Sequence, residues 1–107
     1  MARVGLTAAA DNLTAVVTTG AGATVSASNA SQSVWQIVAT GVTTGGTLVI
    51  QGSVDGTSWY TITSTAVSAT GNTGVVVTGA HPYLRSNLTA RTDGTFTVSY
   101  SLLIVGS

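Results

Sequence analysis

Cysteine, lysine and glutamate are all absent from this chain of 107 residues, and proline occurs once. Without cysteine there is neither a disulfide nor a thiolate metal site, and the redox compartment is left open. Charge is nearly absent too. Arg3, Asp11, Asp55, Arg85, Arg91 and Asp93 make up 6% of the residues and cancel to a formal net charge of zero. A typical soluble domain has about 25% charged residues. No basic cluster exists to neutralise phosphates, so no nucleic-acid partner is expected. No apolar run approaches the roughly 18 residues of a membrane span, so no membrane partner is expected. The opening stretch MARVGLTAAADNLTAVV lacks a continuous apolar core followed by a cleavage site. The chain is therefore expected to be made in a cytoplasm and not exported by a cleaved signal.

What is present is small, β-branched and hydroxylated. The chain holds 20 Thr, 12 Ser and 13 Gly. Valine and threonine suit pleated, half-buried surfaces. Gly-containing pairs punctuate the chain at short intervals, the pattern of an all-β sandwich or barrel. The length suits one domain over 1–107, burying roughly 60–70% of its unfolded surface. About eight strands are predicted: 13–19, 23–28, 33–40, 46–54, 58–63, 73–78, 82–91 and 95–105. Residues 64–72 read as a crossover loop. Residues 1–10 lack a clear period, and an arm that frays or lies on a neighbouring subunit is expected. In the last strand, TFTVSYSLLIV, Phe96, Val98, Tyr100, Leu102 and Ile104 share one face, while Thr95, Thr97, Ser99 and Ser101 share the other. This alternation predicts one buried and one wet face. Leu103 and Val105 make both faces apolar near the end.

The stretch GSVDGTSWYTI, residues 52–62, sets Asp55 and Gly56 just ahead of a Trp-Tyr pair. Asp-Gly between apolar segments predicts a turn, because Gly accepts positive φ and Asp bonds the turn backbone. RTDGTF predicts a second hairpin at Asp93-Gly94. The Asp-box of sialidase-like propellers has one more residue between its Asp and Gly, and a single short chain makes no propeller. Ser53-Val54-Asp55-Gly56-Thr57-Ser58-Trp59, followed by Pro82-Tyr83-Leu84-Arg85, resembles discoidin-like (F5/8 type C) and related galactose-binding-like sandwiches. Small bacteriophage virion proteins, some of them capsid decoration or cement proteins, carry the same pair of features and end in a similar Gly-Thr-rich final segment. The resemblance covers residues 46–104. It implies a single β-sandwich, jelly-roll-like or galactose-binding-like, and a phage origin. It carries over no glycan or lipid site, and the N-terminal third matches neither pattern.

The constellations of catalysis are missing. Glycoside hydrolysis needs paired carboxylates across a cleft, yet two of the three acids, Asp55 and Asp93, precede Gly in predicted turns. His81, the one histidine, sits in a predicted loop before Pro82 and does not by itself make a triad or a zinc site. Asp11, Asp55 and Asp93 with carbonyl oxygens are a conceivable calcium set, weaker than their turn roles. No catalytic residue, metal or cofactor is expected. Trp59, Tyr60 and Tyr83 are the residues for a sugar-stacking platform, with packing as the competing role. Arg85, mid-strand among apolar neighbours, is expected to pair with an Asp or with carbonyls, since an unpaired buried charge is costly. The sequons at Asn12, Asn29 and Asn87 are chance matches in so Ser/Thr-rich a chain.

Zero net charge favours association. Composition and resemblance together lead us to expect a structural virion protein, most simply a capsid decoration protein whose partners are the major capsid protein and itself. The alternative is a carbohydrate-binding or receptor-binding module of a phage tail or fibre. A homo-oligomer is expected, with a trimer favoured. The apolar residues 4–10 and the end of the last strand need cover, which places Val4, Leu6, Leu103 and Val105 at an interface.

Overall fold

The computed structural model describes residues 3–7 and 9–106, with side-chain environments for Thr7 and for 9–104. The chain forms a single all-β sandwich of two antiparallel sheets. Its strands are β1 (Arg3–Leu6), β2 (Ala10–Val16), β3 (Gly20–Ala21), β4 (Val25–Ser26), β5 (Ala30–Thr40), β6 (Gly46–Ser53), β7 (Tyr60–Val67), β8 (Gly71–Thr78), β9 (Tyr83–Arg91) and β10 (Thr95–Gly106). The first sheet runs β1-β10-β5-β8, with β2 also on β10. The second runs β3-β9-β6-β7, with β4 also on β9.

The alternating pattern decides the inner faces. Phe96 and Val98 are fully buried and Leu102 nearly so, while Tyr100 and Ile104 pack against the core from its margin. On the neighbouring strand Trp35, Ile37 and Ala39 point inward, and Leu48, Ile50, Leu84 and Leu88 face them from the second sheet. Trp35 is the largest buried side chain. Its Nε1 donates to Ser33 Oγ at 2.8 Å, and its ring lies 5.0 Å from that of Tyr100. The indole N–H is thus satisfied where water does not reach.

Two expectations are corrected. Residues 64–72 are not a crossover loop. They hold the second half of β7, a short link and the start of β8. The Ser/Thr-rich β7 is an edge strand with a mostly exposed pattern, so its alternation was faint. Asp93-Gly94 does not join a hairpin either, because β9 and β10 belong to different sheets. The turn arches across the sandwich, and Asp93 is fastened to the β5–β6 loop instead of to its own turn. Oδ1 accepts from the N–H groups of Thr43, Thr44 and Gly45 at 3.1, 3.1 and 2.8 Å. Gly94 has φ of +97°. Near the N-terminus, Arg3–Leu6 form a strand on the chain's own last strand. Val4 lies opposite Val105 and Leu6 opposite Leu103, so these two segments supply each other's backbone partners. Leu103 is half-buried, and the side chains of Val4, Leu6 and Val105 lie outside the described residues.

β2 departs from the predicted 13–19 because it is bulged. Leu13 pairs with Val98 and Val16 with Phe96, which leaves Thr14 and Ala15 opposite Thr97 alone. Ala15 takes φ of +47°, and its N–H donates to Thr97 Oγ at 3.0 Å. The left-handed residue bends the strand and closes its edge.

Candidate docking face and an aromatic–arginine cluster

The Asp55 turn answers to its local chemistry. Asp55 Oδ1 accepts from the N–H groups of Thr57 and Ser58 at 2.8 and 2.9 Å and from Ser53 Oγ at 2.9 Å. Ser53 Oγ in turn accepts from Asp55 N–H and Gly56 N–H. The N–H groups of Ser58 and Thr57, then the Ser53 hydroxyl, hold the Asp55 carboxyl below the usual carboxylate range. Gly56 has φ of +79°. Every described polar contact of Asp55 is thus within its own turn.

The three aromatic candidates do not form one platform. Trp59 lies under the Arg85 guanidinium, 4.2 Å from carbon to ring centroid. Tyr60 turns the other way, against Gly52, and its hydroxyl meets His81 Nδ1 at 2.7 Å. His81 Nε2 faces the Thr78 carbonyl at 3.3 Å. On a neutral ring, Nε2 donating to this carbonyl leaves Nδ1 to accept from the Tyr60 hydroxyl. Tyr83 stands beside Gly56. Among the described residues Arg85 pairs with neither an Asp nor the backbone. Its Nε donates to Gln51 Oε1 at 2.8 Å, and Asn87 Nδ2 reaches the same oxygen at 3.4 Å. The cross-strand register sets Gln51 beside Arg85 on the outer face of the second sheet, where Arg85 is half-buried. Gln51 carried no signal in the sequence, because its role exists only through strand pairing.

Asp11 accepts from Ser99 Oγ at 2.6 Å on the rim of the first sheet. Asn12, singled out only as a sequon, ties the sheets together. Its Oδ1 accepts from Ser86 N–H at 2.8 Å and from the Ser86 hydroxyl, and its Nδ2 donates to the Ala23 carbonyl at 2.7 Å. The three Asp residues and His81 therefore sit in separate places. Among the described residues no three His, Cys, Asp or Glu side chains gather as a metal set.

The broadest feature is the outer face of the first sheet. Pairing of β10, β5 and β8 aligns Ser101 with Val34 and Val76, and Ser99 with Gln36 and Gly74. No charged residue lies on these three strands. Val34 is 42% exposed and Val76 57%. Paired across β5 and the edge strand β8, the two valines make a small exposed apolar patch. Beside them a shallow cavity of about 120 Å³ is lined by Ala9, Val34, Gln36, Ser99, Tyr100 and Ser101.

No protein-family model, curated protein or solved structure gives a significant match to this chain.

Proposed function

We propose that this chain is a structural virion protein of a bacteriophage, a capsid decoration protein that binds the major capsid protein through the outer face of its first sheet. The observation that carries the reading is that face: free of charge on β5, β8 and β10, with Val34 open beside a shallow cavity. Hydroxyl and valine side chains contact a protein surface without the cost of stripping water from ions. The molecule measures 49 × 27 × 18 Å, so its broad face exceeds the roughly 800 Å² per partner of a standard interface. Repetition over a shell multiplies a modest single contact. Catalysis is no part of this proposal, since Asp55, Asp93 and His81 each have a structural partner.

The test is co-sedimentation with undecorated shells of the phage that encodes the chain. Saturable pelleting with the shells is expected. Val34→Lys, which adds a charge at an exposed position, should weaken it by at least tenfold, about 1.4 kcal/mol. Absence of pelleting, or binding indifferent to Val34→Lys, would overturn the reading.

One observation favours the second reading, a carbohydrate-binding or receptor-binding module of a tail or fibre. Trp59, Arg85, Gln51 and Asn87 lie together on the outer face of the second sheet, and such aromatic and amide groups suit sugars. Saturable quenching of Trp59 fluorescence by a glycan, lost in Trp59→Ala, would support it over the shell reading.

A further inference from the structure

The sandwich has open edges, and they are not treated alike. β3 and β4 are two residues each, and β1 is four. β2 is bulged at Thr14 and Ala15, and β7 is bulged at Ile62, where Thr61 and Thr63 pair with the adjacent Gln51 and Ile50. Short strands and bulges are the devices by which proteins prevent edge-to-edge pairing. β8 has none of them. Its eight residues, GNTGVVVT, pair with β5 from Gly71 to Thr78 without a register shift. It contains no proline, and no Asp, Glu, Lys or Arg lies between Asp55 and Arg85. Among the described residues no strand pairs with its free side, and only the Thr78 carbonyl at its end has another neighbour, His81 Nε2 at 3.3 Å.

Gly74 sharpens the point. Glycine inside a strand weakens it and marks a bulge, a bend or a close approach. There is no bulge here, φ is not in the left-handed region, and a Cβ added at Gly74 would meet nothing within 4 Å. By contrast, a Cβ at Gly46, Gly52 or Gly22 would strike the Ala90 carbonyl, the Tyr60 ring or Asn12. The space over Gly74 is empty within the chain, and Val76 on the same face of the same strand is exposed.

We propose that β8 pairs antiparallel with β8 of a second copy about a two-fold axis at Val75, joining the two first sheets into one. In this register Gly74 lies opposite the other copy's Val76, Thr73 opposite Val77 and Asn72 opposite Thr78. Each exposed Val76 then covers the bare backbone of Gly74 across the axis, and two β-branched Val75 side chains meet. A second copy is the occupant because an antiparallel edge contact is self-complementary. A strand without charge meets its own image without repulsion. An edge contact of this kind closes at two copies. It forms without a shell, so it stands or falls separately from the capsid reading.

Sedimentation of the free protein tests it. A species of twice 10.6 kDa is expected through the micromolar range. Gly74→Lys, whose side chain the monomer accommodates, should give a folded monomer with an unchanged β-sheet circular dichroism spectrum. The chain has no native cysteine, so register is read directly. Val75→Cys should cross-link on oxidation, because opposed Cα atoms in an antiparallel pair stand about 4.5–5.5 Å apart, within disulfide reach. Thr73→Cys should not. A monomer or trimer of the wild type, a dimer that survives Gly74→Lys, or equal cross-linking at 73 and 75 would overturn the proposal.

Discussion

Asp93 accepts hydrogen bonds from three consecutive N–H groups on a loop 48 to 50 positions earlier in the chain. Those groups, Gly45 foremost and then Thr43 and Thr44, hold its carboxyl below the usual range, with the Arg91 charge adding a smaller pull. A carboxylate with a depressed folded pKa contributes stability that is complete above its unfolded pKa, near 3.9, and that is lost as pH falls through the lower folded value. Asp93→Asn keeps the size but removes the charge and one acceptor oxygen. The variant should melt below the wild type at neutral pH, and the gap should narrow below about pH 4. Melting curves at both pH values check this; a gap independent of pH would show that Asp93 does not act through its ionised form. The Asp-Gly spelling made Asp93 and Asp55 legible as turn residues. It named the right partners only for Asp55, because those of Asp93 come from a loop that tertiary folding brings to it.

The β6–β7 loop is the element read most fully from sequence. Ser53, Asp55 and Gly56 spell its hydrogen-bond pattern within a few residues, and Gly56 adopts positive φ. A Cβ at Gly56 would meet only the Tyr83 ring at 3.7 Å, an ordinary contact, so conformation and not crowding sets the cost of substitution. Gly56→Val should destabilise the fold by about 1–2 kcal/mol, read from denaturant midpoints. A midpoint equal to the wild type would contradict the left-handed turn. The last strand was equally legible, since its alternation is strong and its inner residues are large. β7 was not, because an exposed Ser/Thr edge strand and a polar loop have the same composition. β3 and β4, two residues each, leave no periodic trace.

The two sheets are joined by more than apolar packing. Asn12, on β2, reaches across to Ser86, on β9, a fully buried serine. Asn12→Ala would leave the Ser86 hydroxyl and N–H without that acceptor, so a loss of about 1–3 kcal/mol is expected. Chemical unfolding measures it, and a change within about 0.5 kcal/mol would mean that water replaces the amide without penalty. At this scale the molecule is a neutral slab. One broad face is free of charge on its central strands, and the other carries Arg85 on Trp59. The apolar chain ends do not wait for a neighbour to supply backbone partners, because β1 and the end of β10 pair with each other.

Composition and periodicity by themselves determined the all-β class, the single domain, the inner face of the last strand and the turn at Asp55-Gly56. All of these depend on residues close together in the chain. Only the tertiary structure decided which strands share a sheet, and with it that Asp93 bridges two loops, that Gln51 holds Arg85, that Asn12 joins the sheets and that β8 is the regular open edge. Each of those follows from strand pairing across long stretches of chain. In a sequence this uniform in Val, Thr, Ser and Gly, local pattern does not distinguish one pairing from another; the packing of Trp35, Phe96 and their few large neighbours does.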